Sequence, residues 1–135
     1  MKIKMLVVVV GVALQFSHPV MAQVLDGKLL FAKNCAACHQ LGGTGIDGAF
    51  PALKGNSFVQ SDPSLVLATV LKGRAGMPTF ATSLNDDKLA AILSYVRQAW
   101  GNHAGAITAD DVAAVRSLSG AADAMDGSPK ATPSH

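Results

Sequence analysis

Cys35-Ala36-Ala37-Cys38-His39 is the stretch on which the reading of the whole chain turns. The spacing C-x-x-C-H is that of a c-type haem attachment site. Two thiols three residues apart on a helical turn face the same way, so each can add to one vinyl group of a single haem. The ring is then pinned with the next side chain, His39, aimed at the iron. Cys35 and Cys38 are the only cysteines of the chain, which fits an exported protein with no other thiol left for a disulfide. Three rival readings are weaker. A zinc site needs four ligands, and beyond these three only His103 and His135 could contribute. A thioredoxin-like dithiol needs a βαβ setting, and a bare disulfide or two unmodified thiols is the bland alternative.

Upstream of the motif, Leu25 to Asn34 reads as a helix, with Asp26 as its cap and Gly27, Leu30, Phe31 and Asn34 at helical spacing. Further upstream the chain changes character. Lys2 and Lys4 precede an apolar run from Met5 to Leu14, and a short polar stretch ends at Val20-Met21-Ala22. A basic start, an apolar stretch of roughly 7–15 residues and small side chains before the cut are what secretory signals share. The run is shorter than the about 20 residues of a membrane span. Residues 1–22 are therefore expected to be a signal peptide cut after Ala22. The mature protein would begin at Gln23 in a bacterial periplasm, without stable membrane insertion.

Downstream, residues 42–56 are rich in glycine and read as loop. Asp62-Pro63 opens a second helix that stops at Gly73, Asp serving as cap and Pro as first helical residue. Residues 76–83 are loop again. The clearest helix is Asp86 to Trp100, where Leu89, Ile92, Leu93, Val96 and Trp100 form one apolar stripe. Asn85 caps it, Asp86 and Asp87 suit the positive end of its dipole, and Gly101 ends it. Thr108 to Leu118 reads as a shorter helix, with Thr108 and Asp111 spaced as a capping box. From Asp123 onward the composition is that of a frayed tail. No segment shows sustained strand alternation, so the fold class is all-α. Three to four short helices around long loops make a thin core, and such domains usually need a staple.

The 135 residues are half apolar and 15% charged, enough for one domain and too apolar for a disordered chain. The excess of positive charge is carried by Lys2 and Lys4; all nine acids are Asp, and without the leader the charges balance. A basic nucleic-acid binder is excluded on that count. Gly43-Thr44-Gly45-Ile46-Asp47-Gly48 satisfies G-x-G-x-x-G, but a nucleotide fingerprint needs a preceding strand and a following helix. These glycines read instead as backbone passing close to the ring. His103 and His135 read as solvated surface residues, and Trp100 as core rather than an electron relay.

An iron held by one histidine leaves its opposite face open, and the second ligand decides the function. Beyond the leader the chain has two methionines, Met125 in the tail and Met77 in Gly73-Arg74-Ala75-Gly76-Met77-Pro78-Thr79-Phe80. An isolated Met is usually core filler. Beside a C-x-x-C-H site, in a Gly-Met-Pro loop, Met77 reads as the thioether ligand on the far side of the ring. Lys72 and Arg74 flank this loop, where they could meet an acidic partner or a haem propionate, or simply lie in solvent.

These residues resemble those of the small soluble class I cytochromes c of bacteria, over roughly Val24 to Trp100. Cys35, Cys38 and His39 match that family's haem motif, and Met77-Pro78 its axial methionine segment. The resemblance implies one covalent haem c and a helical fold wrapped around it. It also implies that Gly27 and Phe31 cross the later helix at Tyr95, and that the carbonyl of Pro51, in Phe50-Pro51-Ala52-Leu53, accepts a hydrogen bond from the axial histidine. The stretch Tyr95 to Asn102, followed by Thr108 to Val112, is similar to cytochrome domains of periplasmic dehydrogenase complexes and to those fused to copper nitrite reductases. The expected organisation is a leader at 1–22, a haem domain at 23–104, a helical extension at 105–122 and a disordered tail at 123–135. The implied function is one-electron transfer between periplasmic redox proteins, by a carrier rather than an enzyme, either as a monomer or as a haem subunit of a redox complex. A haem enzyme or small-ligand binder with an open sixth position is the remaining alternative.

Overall fold

Side-chain caps begin the longer helices wherever the sequence supplies a short polar residue. Asp26 accepts from the amide of Leu29 (3.1 Å) to start α1, Gly27–Asn34. Asp62 accepts from the amide of Ser64 (2.7 Å), and Pro63 opens α3, Pro63–Lys72. Asn85 accepts from the amide of Lys88 (3.0 Å) to start α4, Asp86–Gln98. Each cap satisfies one amide that has no partner inside its helix. Between α1 and α3 lies the single turn α2, Ala36–His39, and α5, Ala109–Asp126, closes the series. The computed structural model describes residues 25–126, with side chains to residue 120. The expected leader at 1–22 lies outside the described residues, as do residues 127–135 of the expected tail.

The described residues are helical with no named strand, only isolated bridges at Ile46–Phe50 and Arg74–Met77. This is the all-α class anticipated from the sequence. α4 packs between α1 on one side and α5 on the other, and α5 also lies against α3. The stripe Leu89, Ile92, Leu93 and Val96 is buried, together with Phe31 from α1, Val66, Leu67 and Leu71 from α3, and Ile107 and Val112 at the start of α5. The crossing of α1 over α4 falls where the family resemblance put it. A side chain at Gly27 would collide with the carbonyl oxygen of Ala91, and the rings of Phe31 and Tyr95 stand 5.7 Å apart.

Three boundaries differ from expectation. α1 begins at Gly27 rather than Leu25, because Asp26 takes the cap position outside the helix. α4 stops at Gln98, two residues short of Trp100, whose φ of +54° is left-handed and is followed by Gly101 at +85°. That turn lets Trp100 swing back against Phe31 and Tyr95, with centroids 5.2 and 5.4 Å away, so it is half-buried core. Finally α5 runs to Asp126, past Leu118 and into the segment expected to be tail from Asp123. The alanines of residues 121–124 have the highest helix propensity of any residue, which offsets Gly120.

The start of the expected extension packs on the helices before it. Ile107 and Val112 are buried, and Ser94 on α4 exchanges hydrogen bonds with both backbone groups of Ile107 (2.9 and 3.0 Å). Thr108 and Asp111 form the anticipated capping box: the Asp111 carboxylate accepts from the Thr108 amide (2.8 Å) and hydroxyl (2.7 Å), and the Asp111 amide donates to the Thr108 hydroxyl (3.2 Å). Those bonds hold the Asp111 carboxyl below the usual carboxylate range.

Candidate functional site

Cys35 belongs to two helices at once. Its amide donates to the carbonyl of Phe31 (2.9 Å), ending α1, and its carbonyl accepts from the amide of His39 (3.0 Å), closing α2. The C-x-x-C-H turn is thereby fixed to the helix that carries Phe31 into the core. Both cysteines are free and half-buried. Burial, reinforced by the neighbouring Cys38, pushes the Cys35 thiol up to about 11.

Gln40, at φ +62°, ends this turn and sends the chain into the glycine-rich loop. The loop folds back on the motif. Gly45 donates to the carbonyl of His39 (3.0 Å), and Leu53 and Lys54 donate to that of Gly43 (2.8 and 2.9 Å). Gly43 and Gly45 both sit at positive φ and in close contact: a Cβ on Gly43 would lie 2.5 Å from the Trp100 ring, and one on Gly45 would strike Phe50 and Pro51. The G-x-G-x-x-G pattern thus packs a loop against a tryptophan and a proline. The result is that the carbonyl oxygen of Pro51 stands 3.0 Å from His39 Nδ1. A carbonyl can only accept, so Nδ1 carries the proton and Nε2 keeps its lone pair for a metal.

Met77 arrives on a separate loop anchored to the end of α3. Gly73 caps that helix at φ +77°, and a Cβ there would lie 2.6 Å from the carbonyl oxygen of Met77. Arg74 and Met77 exchange backbone hydrogen bonds (3.1 and 2.9 Å), the Thr79 hydroxyl donates to Leu71, and Phe80 donates to Val70 (3.2 Å). Met77 is half-buried, whereas Lys72 and Arg74 are exposed. Met125 falls in the last turns of α5. His103 is exposed, as anticipated, and His135 lies outside the described residues.

The donor set fits a haem: two thiols on one turn, an imidazole with a free Nε2, and a thioether on a loop. Cys35, Leu53, Val70 and Phe80 pack on the core with one side and stay half-exposed on the other, apolar surface of a kind that a haem would cover. Among the described residues no three His, Cys, Asp or Glu side chains converge as an ion site would require.

Three residues that hold the site together were not singled out from sequence. Arg97 is 5% exposed and donates to the carbonyls of Val59 (2.7 Å), Ser61 (2.9 Å) and Gly105 (2.9 Å). Asn102, 1% exposed, accepts from Gly55 (2.9 Å) and donates to Leu53 (3.0 Å) and Val96 (2.8 Å), tying the proline loop to α4. Arg116 on α5 binds Asp86 and two loop carbonyls. Arg97 sits one place along from the buried stripe, a faint signal; the other two had none.

Comparison with known proteins gives the family. Residues 22–96 match the family described as cytochrome c oxidase, cbb3-type, subunit III. The chain is 33% identical to the cytochrome c subunit of a quinone alcohol dehydrogenase from Gluconobacter oxydans, over 67% of this chain and 22% of that protein. It is 37% identical to cytochrome c6 of Leptolyngbya boryana, over 56% of this chain and 91% of the relative. To cytochrome c-552 of Thermus thermophilus it is 33% identical, over 57% and 70%. The chain thus spans about a fifth of the length of the dehydrogenase subunit and most of the two small cytochromes.

Proposed function

The chain belongs to the cytochrome c family, and from that premise we propose that it carries electrons with His39 and Met77 as axial ligands of its haem c. Cys35 and Cys38 are the two thioether sites in this reading, and the cellular setting is the bacterial periplasm. When bound, the haem supplies one-electron exchange between ferric and ferrous iron.

The observation that carries the reading is the 3.0 Å contact between His39 Nδ1 and the Pro51 carbonyl. It sets the tautomer and holds the ring plane, which leaves the Nε2 lone pair for iron. Met77 offers a soft thioether that favours ferrous iron over what a second imidazole would give. Gly73 and the Thr79 and Phe80 anchors hold its loop in one conformation, so the ligand needs little reorganisation between oxidation states. The apolar flanks of Leu53, Val70 and Phe80 exclude water from the ring.

The oxidised holoprotein tests the ligand set. Methionine ligation gives a weak charge-transfer band that does not vanish on mixing with cyanide, whereas high-spin iron would overturn it and favour an open-site enzyme. Met77→Ala should keep haem attached while opening the sixth position and lowering the potential. A wild-type spectrum and potential in that variant would remove Met77 from the role. Periplasmic fractionation, with an N-terminus read as Gln23, tests the location.

A second reading has its own observation. The dehydrogenase subunits match two thirds of this chain, more than the small cytochromes do. A haem subunit held in a periplasmic dehydrogenase complex would co-purify with it at high salt, and a monomer in sedimentation would favour the free carrier.

A further inference from the structure

We propose that Arg116 is a positioning residue for Met77, strapping down the far leg of the methionine loop from α5. This rests on the reading of Met77 as axial ligand given above. The loop has two legs. The near leg is held by α3, through Gly73 packed on the Met77 carbonyl and through the Thr79–Leu71 and Phe80–Val70 hydrogen bonds. The far leg, residues 81–84, turns back into α4 with Leu84 buried and its amide bonded to the Phe80 carbonyl (3.2 Å).

Arg116 holds both ends of that turn. Its Nη1 donates to the carbonyl of Ala81, its Nη2 to the carbonyl of Leu84 (3.0 Å), and its Nε to Asp86 Oδ1 (2.8 Å). One planar fork thus spans the far leg and the first residue of α4, which the point charge of a lysine cannot do. The Arg116 and Asp86 side chains are 28% and 34% exposed, so solvent screens their Coulomb attraction and the carbonyl bonds carry the strap. The base is firm, because Val112 is buried and the Ser94–Ile107 pair fixes the start of α5 on α4. Docking of α5 and seating of the sixth ligand are one mechanical unit.

The test uses ferric holoprotein and cyanide as probe of loop opening, alongside the methionine charge-transfer band and the melting temperature. Arg116→Ala should bind cyanide about tenfold faster, the loss of a charge-assisted hydrogen bond of roughly 1.4 kcal/mol, far below the melting temperature. Arg116→Lys should fall between it and wild type, and decides the matter if the alanine variant fails to fold. Asp86→Asn, which removes the ion pair but leaves both carbonyl bonds, should stay within about twofold of wild type. Wild-type cyanide kinetics in both Arg116 variants, with the band present in wild type, would overturn the strap. Asp86→Asn as fast as Arg116→Ala would do the same. A wild-type protein lacking the band would instead dismiss Met77 itself, so the two failures are distinguishable.

Discussion

At Gly27 two helices approach so closely that no side chain fits between them. A Cβ would strike the carbonyl of Ala91 and come within 3.0 Å of Tyr95 Cβ, and the backbone of α4 cannot retreat without moving the buried stripe. Gly27→Ala sets two effects against each other. Helix propensity favours alanine by about 1 kcal/mol, whereas overpacking costs about 1–3 kcal/mol. The obstacle is backbone, not the flexible end of a side chain, so the cost should win. Thermal melting of the holoprotein should show a lower midpoint, and a raised midpoint would mean that α1 can shift aside. Arg97 and Asn102 act at the same scale in the opposite sense. Each bonds several backbone groups at once, and neither role is visible in sequence, because the partners lie 6 to 49 residues away along the chain.

The elements were readable where their chemistry is local. Asp26, Asp62-Pro63, Asn85 and the Thr108–Asp111 pair each announce a helix start through contacts within three residues. The C-x-x-C-H turn was readable for the same reason. The end of α4 was not, since Trp100 leaves the helix for a left-handed turn whose benefit is packing on Phe31 and Tyr95. The length of α5 was masked by Gly120 and the Ser-rich approach to it. The capping box of α5 makes a pH prediction. Its hydrogen bonds lower the Asp111 pKa below 3.8, so their contribution is present above that value and lost as pH falls through the folded-state value. Asp111→Asn should therefore flatten the acid limb of stability below about pH 4 relative to wild type. Parallel acid limbs in denaturant titrations would show that the box adds nothing to α5.

For the molecule as a whole, the question is what holds so slight a core together. Among the described residues Phe31 is the one fully buried aromatic; Tyr95 and Trp100 only lean on it, and the long loop between α2 and α3 has no regular structure. Meanwhile Leu53, Val70 and Phe80 pack on the core with one side and stay half-exposed on the other. In the proposed reading, a haem on Cys35 and Cys38 with His39 and Met77 as ligands would cover such flanks and tie α2, the proline loop and the methionine loop together. Burial of the ring against those flanks would be lost on unfolding, so the haem would stabilise the fold. Cys35→Ala/Cys38→Ala, which cannot form thioethers, should therefore keep part of its helical far-ultraviolet signal. It should lose the near-ultraviolet signal of Trp100 and melt without a cooperative transition, while wild-type holoprotein melts sharply. A cooperative transition with native near-ultraviolet bands in the haem-free double variant would show that the helices alone suffice. The haem would then be cargo in a finished protein rather than the centre of its core.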